Sequence, residues 1–170
     1  MLILGVDPGY ATIGCGIVDY KSARFKVVDY RPVLTSAGTP FPERLRIIYE
    51  EMDFIIKKYR PESIAIEKVF FNTNSKTAID VSQARGVIIL AAAQNGLSVN
   101  EYTPLQVKQS VVGYGQADKN QVMEMTRIIL NLSDIPKPDD VADALALAIC
   151  HAHNSGSGLD PANLKIRRGI

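Results

Sequence analysis

Cysteine is scarce in this sequence, which has Cys15 and Cys150 among its 170 residues, and tryptophan is absent. Neither cysteine has a metal-type partner at short spacing, so we expect no disulfide framework. The first acid, Asp7, comes early and no basic segment precedes it, so the start of the chain does not resemble a signal peptide. These features predict a reducing, cytoplasmic location.

An excess of charge of either sign is also missing. Lys and Arg total 19 and Asp and Glu total 18, which gives a formal net charge of +1. This balance excludes a globally basic nucleic-acid coat and an acidic disordered chain. It permits a local basic groove that faces a local acidic site, because the two cancel in the sum. No stretch approaches the ~18 uninterrupted apolar residues of a membrane span, so no membrane partner is expected.

The length of the chain is typical of one domain. The Gly/Ser-rich stretch at residues 154–158 lies near the C-terminus. We expect it to separate a packed domain, residues 1–153, from a flexible basic tail, residues 154–170. That tail carries Lys165, Arg167 and Arg168.

The hydrophobic period changes after the first part of the chain. Apolar and β-branched runs predict strands at residues 2–7, 12–20 and 25–34, joined as an antiparallel meander. Apolar residues at helical spacing then predict a helix from Phe41 to Tyr59, which Arg60 and Pro61 end. Further strands are predicted at residues 63–67 and 97–102, and further helices at residues 76–95, 104–112, 119–130 and 138–153. This order predicts an α/β fold with a mixed sheet and helices on both faces.

Acidic residues occur where apolar strands end. Asp7 and Glu67 each follow an apolar run, a position where a charge is costly unless it is compensated or reaches solvent. Asp140 and Asp143 are three residues apart on the last predicted helix, and so lie about 60° apart on one face. Asp139 and Asp140 can also be explained as first-turn acids that complement the helix dipole. That explanation is weaker for Asp143, which lies a turn further in.

Four acids from three elements would repel one another if they met. Two unit charges 4 Å apart repel by about 4 kcal/mol at an effective dielectric of 20. Oxygen ligands without His or Cys suit a hard cation, and we predict two Mg²⁺ ions per active site, with Mn²⁺ as a substitute. Paired ions of this kind support in-line phosphoryl displacement: one activates water, and the other stabilises the departing oxygen. Which acid holds which ion stays open.

Five short motifs occur together in this chain. They are Gly5-Val6-Asp7-Pro8-Gly9, Ala65-Ile66-Glu67, Gln83-Ala84-Arg85-Gly86-Val87, Gln106-Val107-Lys108-Gln109 and Asp140-Val141-Ala142-Asp143-Ala144-Leu145-Ala146. Each of them alone is weak. In this order, from residue 1 to about 153, the set resembles the RuvC family of bacterial Holliday-junction resolvases.

The resemblance implies a ribonuclease-H-like fold, with a five-stranded mixed β-sheet flanked by α-helices on both faces. It matches Asp7, Glu67, Asp140 and Asp143 to the family's metal-binding catalytic acids, although some relatives have His at the position of Asp140. It further implies an endodeoxyribonuclease of recombination and DNA repair that nicks a four-way DNA junction symmetrically. Such an enzyme would work as a homodimer, prefer a short T-rich sequence and cooperate with the branch-migration proteins RuvA and RuvB. The hydrolysis would leave 5′-phosphate and 3′-hydroxyl ends.

Basic and aromatic residues are the candidate DNA contacts. The resemblance places Lys108 and Lys119 near the DNA and the site, and Lys119 is a candidate for neutralising developing charge. A solvated charge near a helix start is the alternative for Lys119. Arg85 is a further candidate phosphate contact, and contacts of this kind predict that binding weakens steeply with salt. Phe70 matches an aromatic that opens or stacks at the junction centre, while the alternative is that Phe70 and Phe71 stabilise their own loop.

The helix predicted at residues 76–95 is apolar nearly all round, which indicates burial on more than one side. Burial within one domain and a two-fold interface are both compatible with this pattern. The resemblance favours the interface, since two opposed active sites suit two opposed strands.

Other functions fit parts of the pattern. An actin-like or Hsp70-like ATP-binding protein also opens with an Asp-x-Gly turn, but it needs a second phosphate loop and a much longer chain. A non-catalytic junction-binding module would have no use for the spaced acids. A related ribonuclease-H-like nuclease that acts on RNA or other branched DNA would be distinguished by its substrate preference.

Overall fold

The computed structural model describes residues 1–68 and 75–156, of which the side chains of residues 75, 76 and 156 are left out. Its strands are β1 (Leu2–Asp7), β2 (Thr12–Lys21), β3 (Arg24–Leu34), β4 (Ser63–Glu67) and β5 (Ser98–Tyr102). Its helices are α1 (Phe41–Tyr59), α2 (Ser75–Gln94), α3 (Pro104–Val112), α4 (Lys119–Ile129) and α5 (Asp139–Gly156). Within the described residues, no helix is both long and apolar enough to cross a membrane.

The strands form one five-stranded sheet in the order β3-β2-β1-β4-β5. The first three strands are antiparallel neighbours, whereas β4 and β5 run parallel to β1. The sheet is therefore mixed, as predicted. Because β1 and β4 are parallel, their carboxyl ends, which carry Asp7 and Glu67, meet at the same edge of the sheet.

Helices cover both faces of the sheet, and each face has its own apolar core. On one face, α1 and α2 pack Ile48, Met52 and Ile88 against residues of β1, β2 and β4. On the other face, α5 packs against the sheet with residues such as Leu145 and Ile149, and α3 and α4 pack beside it. The predicted arrangement of helices on both faces is confirmed.

Local signals account for the helix boundaries. Arg60 adopts a left-handed conformation at φ 50° after α1, and Pro61 follows it. Capping boxes begin α3 at Thr103 and α4 at Asp118, where each capping side chain accepts a hydrogen bond from the backbone N–H three residues on.

The last helix runs further than the pattern indicates. Its predicted end is residue 153, yet α5 continues to Gly156. The amide of Asn154 donates to the carbonyl oxygen of Cys150, and the hydroxyl of Ser155 donates to that of His151, so both side chains bond back to the preceding turn. The first residues of the predicted linker are thus helical. Residues 157–170, and with them most of the predicted basic tail, lie outside the described residues.

Glycines determine how closely α5 approaches the sheet. A Cβ on Gly5 of β1 would lie 1.9 Å from the carbonyl oxygen of Ala144, and one on Gly14 of β2 would lie 1.8 Å from that of Asp140. No side chain fits in that space, so α5 lies directly against the backbone of β1 and β2. Since Gly14 pairs with Asp7 in the sheet, this contact brings the start of α5 beside Asp7.

Candidate active site

Asp7 and Glu67 form a carboxyl pair at the edge of the sheet. They directly follow Val6 and Ile66, which are register partners in β1 and β4, and their side chains are hydrogen-bonded to each other. Burial, together with the neighbouring charges of Glu67, Asp143 and Asp140, raises the pKa of Asp7 to about 8. Burial also raises the pKa of Glu67, against the lowering effect of its hydrogen bond with Asp7. The pair therefore holds a proton near neutral pH.

The acids of α5 complete the cluster. Because both Asp140 and Asp143 act on the pKa of Asp7, the predicted acids do lie near one another. Burial raises the pKa of Asp143, although the ammonium of Lys119, with Nζ 3.2 Å from its Oδ2, opposes that rise. Asp139 instead pairs with Lys137 at 2.7 Å and lies 3.5 Å from Lys119. Of the two first-turn acids, Asp140 is the one that acts on Asp7.

A cavity of about 220 Å³ opens beside these acids. Glu67 and Asp143 line it together with Lys108 from α3 and Lys119 from α4. The rest of its wall is apolar and consists of Pro104, Val107, Val122 and Leu147. Carboxylates and ammonium groups thus share one pocket, which has the charge pattern needed to hold a phosphodiester beside cations.

The donor set suits hard cations. Asp7, Glu67, Asp140 and Asp143 offer oxygen atoms alone, which Mg²⁺ and Mn²⁺ prefer. Burial raises the pKa of both carboxyls, so positive charge that enters the site would stabilise their ionised forms. In the part of the chain that the structure describes, however, no group of three or more His, Cys, Asp or Glu side chains is arranged to hold a metal ion. The acids are divided between two contacts: Asp7 bonds Glu67, and Asp143 pairs with Lys119.

Of the predicted DNA contacts, the two lysines line the cavity, whereas Arg85 contacts the protein main chain. Lys108 and Lys119 both face the cavity beside the acids. Arg85, on α2, donates its Nε–H to the main-chain oxygen of Glu67 at 3.1 Å and pairs with the carboxylate of Glu101. Its role as a phosphate contact stays a prediction. Phe70 lies outside the described residues.

Sequence reasoning missed Arg44, which holds the turn after Asp7. Arg44 is buried, with 7% of the residue exposed. Its guanidinium donates to Thr35 Oγ1 at 2.8 Å and to the carbonyl oxygen of Tyr10 at 3.1 Å, and it lies over the Tyr10 ring. Thr35 Oγ1 also donates to that carbonyl oxygen. The available signal was the position of Arg44 four residues before Ile48, on the buried face of α1.

A buried histidine of α5, His151, links this helix to the sheet. In the structure its Nε2 lies 2.8 Å from Ser63 Oγ and its Nδ1 lies 2.7 Å from Tyr102 OH. It therefore joins α5 to both β4 and β5 on the strands that lead to the site.

Comparison with known proteins agrees with this geometry. The sequence model of the family described as crossover junction endodeoxyribonuclease RuvC matches residues 3–151. The chain belongs to the RuvC family. It is 58% identical over 153 residues to crossover junction endodeoxyribonuclease RuvC from Alkaliphilus oremlandii, which covers 90% of this chain and 93% of the relative.

Solved structures of RuvC show the same fold. Thermus thermophilus RuvC superposes with a TM-score of 0.86 at 37% identity, covering 93% of this chain and 97% of that chain. The same bacterium's RuvC in complex with a Holliday junction substrate gives a TM-score of 0.85 at 34% identity, with the same coverage. The predicted ribonuclease-H-like fold is thereby confirmed.

Proposed function

We propose that this chain is a structure-specific endodeoxyribonuclease that resolves Holliday junctions by paired, symmetric nicks. The observation that carries the proposal is the proximity of Asp140, Asp143 and Glu67 to Asp7, next to a cavity that Glu67 and Asp143 line together with Lys108 and Lys119. Membership of the RuvC family, which includes a relative solved with a Holliday junction substrate, supports four-way DNA as the substrate.

The acids are the proposed ligands of two Mg²⁺ ions, which Mn²⁺ would replace. When bound, such ions supply an activated water and stabilise the leaving oxygen of an in-line displacement. Asp7 is central to the proposal because Glu67, Asp143 and Asp140 all raise its pKa. The proton that Asp7 and Glu67 hold between them must leave before both can act as ligands.

The lysines are proposed to place the scissile phosphate. Among the described residues, Lys108 and Lys119 are the basic side chains that line the cavity. Their ammonium groups would attract a phosphodiester. Lys119 forms ion pairs with Asp143 and Asp139, so we expect its charge to offset negative charge that develops beside these acids during hydrolysis. The apolar side of the cavity excludes water from this face of the phosphate. The products would be 5′-phosphate and 3′-hydroxyl ends.

The exposed face of α2 supports a homodimer. Ile79 is 59% exposed and Leu90 is 50% exposed, and they lie on one helical stripe with Gln83, Gly86 and Ala93. A second copy packed on this stripe would bury it and would supply a second active site for the opposite strand. Cooperation with RuvA and RuvB, a cytoplasmic location and a preferred T-rich sequence belong to the same proposal.

The decisive experiment uses a synthetic four-way junction with a movable core. With Mg²⁺ we expect wild-type protein to cut it into nicked duplexes, whereas Asp7→Asn binds without nicking. Asp134→Asn is the matched control, since it removes an exposed acid outside the site and should leave nicking intact. Nicking by Asp7→Asn would remove that residue from the mechanism. Cleavage of an RNA–DNA hybrid, with no cutting of the junction, would favour the related nuclease instead.

A further inference from the structure

Arg85 contacts the end of the strand that carries Glu67. Its side chain is 17% exposed, so most of it lies inside the fold. The Nε–H donates to the main-chain oxygen of Glu67 at 3.1 Å, and the terminal nitrogen pairs with the carboxylate of Glu101 on β5. One guanidinium thus bridges α2, β4 and β5.

The peptide unit between Glu67 and Lys68 is held at both of its polar ends. Arg85 binds its carbonyl oxygen, and the N–H of Lys68 donates to the carbonyl oxygen of Tyr102 at 2.8 Å. The parallel pairing of β4 with β5 places Glu101 beside Ile66, within reach of the same guanidinium. A peptide fixed in this way fixes the position of the Glu67 Cα and the direction of its Cα–Cβ bond, from which the carboxylate reaches the site.

We propose that Arg85 is a positioning residue that, with Glu101, fixes the carboxylate of Glu67 in the active site instead of contacting DNA. The proposal rests on the proposed function, in which Glu67 is a metal ligand. Two further facts support it. The Glu101 carboxylate already neutralises the charge of Arg85, and a guanidinium that is mostly buried would have to leave both partners to reach a phosphate.

The two roles make opposite predictions for Glu101. Glu101→Gln weakens the bridge while it leaves the cation at position 85. If Arg85 positions Glu67, then Glu101→Gln and Arg85→Met impair the same step. If Arg85 contacts DNA, Glu101→Gln leaves an arginine that is freer to bind phosphate, and only Arg85→Met is harmful.

The experiment measures three properties of Arg85→Met, Arg85→Lys and Glu101→Gln. They are junction affinity in EDTA, the Mg²⁺ concentration that half-saturates the thermal shift of the free protein, and the single-turnover nicking rate at saturating protein. Arg46→Met is the matched control, because Arg46 forms an ion pair with Glu43 on the exposed side of α1.

Positioning by Arg85 predicts a joint effect on metal binding and nicking. Removing an outer partner of a metal ligand typically costs about 10–100-fold in metal affinity or activity. We expect Arg85→Met and Glu101→Gln to raise the Mg²⁺ midpoint and slow nicking by about 10-fold, with junction affinity unchanged. Arg85→Lys should recover part of the loss, and Arg46→Met should behave as wild type.

Loss of junction affinity in Arg85→Met, with an unchanged Mg²⁺ midpoint in Glu101→Gln, would overturn the proposal in favour of a DNA contact. If Arg85→Met does not fold, Glu101→Gln and Arg85→Lys decide the matter, because both retain a cation at position 85. Failure of the wild type to nick junctions would refute the proposed function. The comparison of Mg²⁺ midpoints would still decide the role of Arg85.

Discussion

Asp7→Asn should stabilise the metal-free protein even though it abolishes the proposed activity. Asp7 is largely buried beside three other acids, and its pKa is raised from 3.8 to about 8. Near neutral pH, folding therefore requires this carboxyl to take up a proton that it has released in the unfolded chain. An asparagine has nearly the same shape and carries no charge, so it avoids that cost. Its amide can also donate to Glu67.

The size of the effect follows from these two pKa values. Protonating a carboxyl of pKa 3.8 at pH 7 costs about 4 kcal/mol, which is the upper limit of the gain. Relaxation around the charged form lowers it, so we expect Asp7→Asn to increase the free energy of unfolding by about 2–4 kcal/mol. For a chain of this length, that corresponds to a rise in Tm of roughly 5–15 °C.

The raised pKa of Asp7 also predicts how the free energy of unfolding changes with pH. Between about pH 4 and pH 8 the folded protein binds a proton at Asp7 that the unfolded chain does not, so the free energy of unfolding falls as pH rises through this window. It levels off above pH 8. The difference between Asp7→Asn and wild type should therefore be small at pH 4 and largest at pH 8.

The assay is urea denaturation in EDTA at several pH values, with Asp134→Asn as the control for loss of an exposed acid. When the assay is repeated with Mg²⁺, the ion should stabilise the wild type and should stabilise Asp7→Asn much less. An Asp7→Asn protein that is less stable than wild type in EDTA at pH 7, or a difference that does not vary with pH, would refute the reasoning.

Three further predictions concern the interface, the α5 contact and the thiols. Leu90→Lys should convert the proposed dimer to a monomer in sedimentation at micromolar concentration, whereas Phe54→Lys, equally exposed on α1, should leave it intact. A Leu90→Lys dimer would contradict the proposed interface. Gly14→Ala should lower the free energy of unfolding by about 3 kcal/mol, because its Cβ would overlap a carbonyl oxygen of α5. Urea denaturation measures this loss, and a wild-type midpoint would show that α5 does not lie there. Burial raises the pKa of Cys15 to about 12 and that of Cys150 to about 11, so neither should react with a thiol reagent at pH 8 before unfolding. Rapid reaction of the folded protein would show that these thiols are accessible.

Local patterns predicted nearly all of the elements of this fold. The change from apolar runs to helical spacing separates the first three strands from α1, and capping residues and prolines mark where helices begin and end. The end of α5 was wrong by a few residues because Asn154 and Ser155 bond to the preceding turn, whereas a Gly/Ser-rich stretch is typical of linkers. Side-chain bonds of this kind depend on geometry that composition does not carry.

The prediction that the acids bind hard cations rests on the sequence alone. Asp7 and Glu67 follow apolar strands, and the three-residue step from Asp140 to Asp143 places both on one helical face, whatever the rest of the fold does. Oxygen donors without His or Cys then indicate hard cations. These conclusions need only the periodicity of local structure and the preferences of the side chains.

Tertiary structure decided which of these groups interact and how their neighbours change their pKa values. Parallel pairing of β1 with β4 brings Asp7 to Glu67, and the bare backbone at Gly14 lets α5 bring Asp140 alongside. The same packing turns Arg85 toward the Glu67 main chain. Residues far apart in the chain meet through strand register and helix packing, which arise from the burial of the whole core. No local stretch of sequence specifies those distances, and the raised pKa of Asp7 exists only once they are set.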